Sequence, residues 1–151
     1  MIPIGLALAA CLWLLLLVAA AAVLLGVPIT AGTYAFGSLI CHQQPDRSFH
    51  LGLAQLPVCA RCTGLYAGAV IGSLVFLRLR LPADPRILLI AAAAPTAVTW
   101  LVEIGALAAL SNTTRAIAAL PLGAAVAAVT LRLDECARPR RTASRRPPIL
   151  S

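Results

Sequence analysis

Uncharged and mostly apolar residues run from Ile2 to Ile40, and the first charge along the chain is Asp46. A helix needs about 20 apolar residues to cross the hydrocarbon core, so this run is too long for one simple span. Gly26-Val27-Pro28 is its natural break. The pattern predicts helix 1 over about 4–25, then a short helical or interfacial piece carrying Tyr34 and Phe36 into Cys41. A cleaved signal peptide is disfavoured by the missing basic start and the long apolar stretch. The next apolar run, between Arg61 and Arg78, predicts helix 2 over 61–79, short for a span unless its arginines snorkel outwards. A polar turn around Pro82 and Pro85 precedes helix 3, over 87–110 and kinked near Pro95. Ser111 to Thr114 forms a turn before helix 4, over 115–132. The fold class expected is all-α, a polytopic membrane protein with four transmembrane helices in one domain, 1–133. Between helices 1 and 2 lies a Cys/His loop, 41–60.

Composition agrees with that reading. Hydrophobic residues make up 61% of the chain and charged residues 11%, too few for the surface of a soluble domain. All twelve basic residues are Arg, against five acids, for a net charge of +7. Nucleic acid is excluded as a partner because much of the charge sits in one tail without an aromatic platform. That tail, 134–151, carries five arginines and three prolines and is expected to be disordered and cytoplasmic. With four spans, nine arginines collect on the side of the two termini and three, Arg47, Arg61 and Arg115, on the other. The positive-inside rule then puts both termini in the cytoplasm and the Cys/His loop outside the cell membrane.

Gly64, Gly68 and Gly72 recur every fourth residue and line one face of helix 2. In lipid, such a face lets another backbone approach closely. Its occupant is a neighbouring helix, a second copy of the chain or a membrane partner.

The chemistry concentrates in the loop. Cys41, Cys59 and Cys62 stand within 22 residues, together with His42 and His50. Thiolate and imidazole are the ligands zinc prefers, and a C-x2-C pair is a common knuckle spacing. The expected cofactor is Zn2+, with copper second, on the three thiolates and one of the two histidines. The rival is a membrane thiol–disulfide oxidoreductase using Cys59 and Cys62, since a helix start and Arg61 both favour a thiolate. Such enzymes generally need two cysteine pairs, and the loop offers three cysteines. A scaffold using the glycine face is the third reading. Glu103, placed about two turns below the outer end of helix 3, needs a partner at that depth, for which Arg61 and Arg115 are the candidates. Arg47 belongs to a polar loop with Ser48 and Phe49.

Cys41-His42-Gln43, Pro45, Arg47-Ser48-Phe49, Gly52 and Pro57-Val58-Cys59-Ala60-Arg61-Cys62-Thr63-Gly64, with Tyr66 and Gly68, resemble the signature of a family of small prokaryotic multi-pass membrane proteins. The resemblance extends over roughly Tyr34 to Gly123 and includes Asn112 and Arg115. It departs where the family has an Asp-Gly pair after the proline of its third helix. Thr99-Trp100 stands there, and Glu103 one turn on is the nearest acid. The family is catalogued as a domain of unknown function, so the resemblance implies the membrane fold and no activity.

Overall fold

A computed structural model describes residues 2–22, 26–78 and 84–137. Among them the elements run α1 (Ile2–Ala21), α2 (Val27–Ile40), β1 (Ser48–Leu51), β2 (Ala54–Cys59), α3 (Ala60–Arg78), α4 (Pro85–Ile104) and α5 (Asn112–Ala137). The fold is the expected all-α membrane type, with one addition. The motif loop contains a 3-10 turn, Pro45–Arg47, and an antiparallel hairpin of β1 and β2. The hairpin turns at Gly52, whose positive φ of 62° suits a residue without Cβ. Register runs Ser48 to Cys59, His50 to Gln55 and Leu51 to Ala54, with an irregularity after Ser48.

Among the described residues, three helices are long and apolar enough to cross a membrane: Ile4–Ala21, Pro85–Ile104 and Asn112–Asp134. Two shorter apolar helices, Val27–Ile40 and Ala60–Val75, accompany them. The apolar part of α3 rises only about 24 Å at 1.5 Å per residue, short of a hydrocarbon core of about 30 Å. Of the four expected spans, the second, α3, therefore falls short of full membrane-crossing length.

Local chemistry explains the boundaries. Pro28 sits in the first turn of α2, where its missing N–H costs no hydrogen bond. Residues 23–25, which the sequence pattern assigns to helix 1, lie outside the described residues; α1 itself ends at Ala21. Asp84 caps α4, its Oδ1 accepting from the Arg86 backbone N–H at 2.8 Å. At its other end α4 stops at Ile104 rather than near 110. Ala106 takes a left-handed φ of 52°, and its N–H donates to Glu103 O at 3.2 Å while Leu107 N–H donates to Val102 O at 3.0 Å. This paired closure satisfies the last carbonyls and turns the chain away. Alanine in that role leaves no sequence signal, because it is also the best helix former. At the end of the chain α5 continues through Asp134 to Ala137, past the expected boundary at 133, and the remaining tail lies outside the described residues.

The helices close on α5. Cβ atoms added at Gly64, Gly68 and Gly72 would overlap the backbone of Ala116, Leu120 and Ala124, and Gly123 returns the favour against Leu65. The glycine face is thus covered by α5 of the same chain. Thr96 Oγ1 donates to Ala118 O at 2.8 Å, tying α4 to α5. Of α4 only Ala92 is buried; Ile87, Ile90, Val98 and Leu101 are exposed, as befits a helix facing lipid. α1 places Leu6 against Ala128 and Leu131 of α5, while Leu17 packs with Cys41 and Val58 at the motif. The start of α1 and the end of α5 therefore share one end of the bundle, and the motif lies toward the other.

Candidate metal centre

Three elements each deliver one thiol to a common point. Cys41 caps the C-terminus of α2, Cys59 ends β2, and Cys62 lies in the first turn of α3. Their Sγ atoms all lie within 4.8 Å of one another. Cys59 and Cys62 are 3.6 Å apart, and Cys41 Sγ accepts the Cys59 backbone N–H at 3.1 Å. Thiolates at about 2.3 Å around a tetrahedral zinc stand about 3.8 Å from each other, so the separations suit one ion without a large rearrangement. All three cysteines are free of disulfides. Behind them Leu17 and Val58 are fully buried, and Trp13 packs edge-on against Tyr66 with centroids 6.1 Å apart.

The sulfurs differ electrically. Hydrogen bonding to Cys62 holds the Cys59 thiol far below its usual range, at about 5, against the opposing effect of burial. Backbone N–H groups of Cys62 and Arg61 also face that sulfur. The amides that open α3 favour a thiolate at Cys59. Arg61, one of the two partners expected for Glu103, donates from Nη2 to Glu103 Oε2 at 2.8 Å.

Glu103 receives two arginines. Arg115 Nε donates to its Oε1 at 2.5 Å, and the carboxylate side chain is 7% exposed. Because α4 ends at Ile104, Glu103 occupies the helix's last turn rather than a position two turns deep. There the helix dipole disfavours a negative charge, which the two guanidinium groups offset. Arg115 further donates from Nη1 to Asn112 Oδ1 at 2.6 Å. Arg61 Nε is buried without an acceptor among the described residues.

The histidines are not in the thiol cluster. His42 is exposed but lines a cavity of about 370 Å³ that opens onto all three cysteines. His50 is exposed on β1, pairs with Gln55 across the hairpin and does not line that cavity. Arg47, Arg61 and Arg115 do line it, as does Trp100 from α4.

Several polar residues of the signature build the frame and were given no role by sequence reasoning. Gln43, at a positive φ of 48°, donates from Nε2 to Pro57 O at 2.7 Å and to Tyr34 O at 2.8 Å. Gln55 Nε2 donates to Gln43 O at 2.6 Å, and the Tyr34 hydroxyl donates to Gln55 O. Ser48, wholly buried, donates to Gln44 O at 2.8 Å, and Asn112 Nδ2 reaches Ser48 O at 2.9 Å. These bonds satisfy loop backbone groups that would otherwise be buried without partners. The only sequence signal for them is amides and hydroxyls set among apolar residues.

Residues 41–129 match the model of the family described as "Predicted membrane protein (DUF2085)". The chain belongs to this family. An "Uncharacterized protein MJ1492" of Methanocaldococcus jannaschii is 49% identical over 43 residues, 28% of this chain and 28% of its own. An "Uncharacterized protein" of Methanothermobacter thermautotrophicus is 53% identical over 30 residues, 20% of this chain and 27% of its own. The matched stretches thus span little more than a quarter of either relative. No solved structure matches the chain.

Proposed function

We propose that this membrane protein holds a thiophilic transition metal, zinc first and copper second, on Cys41, Cys59 and Cys62. The observation that carries the reading is the convergence of three free thiols within 4.8 Å from three different elements. Three protein thiolates leave a fourth coordination position, for which His42 is the candidate histidine that lines the same cavity. The arginine asymmetry of the sequence supports an extracytoplasmic motif, with both termini in the cytoplasm. An ion here ties α2, the hairpin and α3 together, so binding and local folding are coupled.

The test is metal analysis by mass spectrometry on detergent-purified protein, alongside a free-thiol count. About one zinc or copper per chain with reduced thiols supports the site. Reduced protein that binds neither metal when offered both overturns it. A metal-free protein whose Cys59 and Cys62 isolate as a disulfide would instead make it a thiol–disulfide oxidoreductase, a reading that their 3.6 Å separation favours.

A further inference from the structure

The cavity beside the thiols has a charge pattern that a metal site alone does not require. Three guanidinium groups, Arg47, Arg61 and Arg115, reach its wall, and among the described residues no carboxylate does. Glu103 compensates two of them from behind through Arg61 Nη2 and Arg115 Nε. One negative charge against three positive ones leaves a surplus of two. A divalent ion on three thiolates would add a single negative charge, so a surplus of one remains with the metal bound.

The unused donors are as telling as the charge. Arg47 makes no ion pair and no side-chain hydrogen bond among the described residues. Arg61 commits only Nη2, and its Nε lacks an acceptor. Gln44 adds an uncommitted amide to the same wall. Guanidinium presents paired N–H groups in a planar fork that matches carboxylate and phosphate oxygens, unlike a simple point charge. A volume of about 370 Å³ is that of a small-molecule site.

We infer that this cavity binds an oxyanion of the phosphate type, held between Arg47 on the 3-10 turn and Arg61 and Arg115 at the starts of α3 and α5. The oxyanion belongs either to a soluble ion or to a lipid headgroup. Its binding does not depend on the metal, because the arginine surplus exists with or without one.

The experiment uses the full chain in phosphatidylcholine nanodiscs. Its thermal unfolding is followed in sodium phosphate and in sodium chloride of matched ionic strength, and inorganic phosphate is titrated calorimetrically. A second arm replaces part of the phosphatidylcholine with phosphatidylglycerol, without phosphate in the buffer. A phosphate-specific rise in melting temperature identifies a soluble oxyanion; a rise with phosphatidylglycerol alone identifies a headgroup. In either case Arg47→Gln, which leaves the Glu103 pairs intact, should weaken the effect about tenfold or more while melting like wild type in chloride. If neither phosphate nor phosphatidylglycerol stabilises the protein beyond chloride, or Arg47→Gln responds like wild type, the inference is overturned. Metal content measured on the same preparations reports separately on the thiol site.

Discussion

Arg115 in the first turn of α5 donates its Nε to Glu103 in the last turn of α4 at 2.5 Å, both side chains at least nine-tenths buried. Each residue sits at the helix end that its own charge disfavours, and each is made tolerable by the other. Arg61 completes the triad from α3. The arrangement joins three helices beneath the motif, and it sets the positions of two of the guanidinium groups in the cavity.

Removing the shared carboxylate should be costly. Glu103→Gln leaves two largely buried guanidinium groups without their counter-charge, and destabilisation on the order of 3 kcal/mol is expected. Melting in detergent, followed by circular dichroism, measures it. An unchanged midpoint would show that solvent or lipid compensates both arginines and that the triad is not a structural element.

The glycine face makes a sharp contrast with glycines elsewhere. Gly68→Ala puts a methyl group into the Leu120 carbonyl of α5, whereas Gly32→Ala in α2 meets nothing within 4 Å. Overpacking of this kind costs about 1–3 kcal/mol, outweighing the gain of up to about 1 kcal/mol from alanine's helix propensity. Gly68→Ala should therefore lower the melting temperature, and Gly32→Ala should leave or raise it. Equal loss for both would remove the case for close α3–α5 packing.

The two histidines should separate on substitution. His50→Ala alters an exposed strand position away from the thiols, so zinc stoichiometry and affinity should stay as in wild type. His42→Ala, on the cavity wall, should lower zinc affinity while Cys41→Ser, Cys59→Ser and Cys62→Ser each abolish stoichiometric binding. Equilibrium competition with a zinc chelator ranks the variants. The reverse order of the histidines would mean that the hairpin folds back over the site.

Orientation is testable from the C-terminus. Nine arginines on the side of the termini against three on the other predict a cytoplasmic tail. A green fluorescent protein fused after Ser151 should fluoresce, and a periplasmic alkaline phosphatase fused there should be inactive. Active phosphatase with a dark fluorescent fusion would place the motif in the cytoplasm, where a reduced thiol site is still more at home.

The sequence by itself determined the solvent, the long helices and the address of the site. Membrane-spanning length, apolar composition and the clustering of Cys41, Cys59 and Cys62 are properties of consecutive residues, and each survives any rearrangement of the bundle. The glycine stripe is equally legible, since its spacing follows from helix geometry alone. Tertiary structure decided the rest. Whether α5 or another chain covers Gly64, Gly68 and Gly72 depends on which backbone presents a matching small-residue face, and Gly123 with its alanine neighbours does so. The end of α4 at Ile104 turns on a left-handed Ala106, and with it Glu103 moves to the helix end, where Arg61 and Arg115 both reach it. The hairpin, and with it the exclusion of His50 from the cavity, rests on long-range bonds from Gln43, Gln55 and Asn112. Those bonds join residues 12, 14 and 64 positions apart, beyond the reach of any local pattern. They form because a buried carbonyl left without a donor is costly, and only the folded chain reveals which side chain answers which carbonyl.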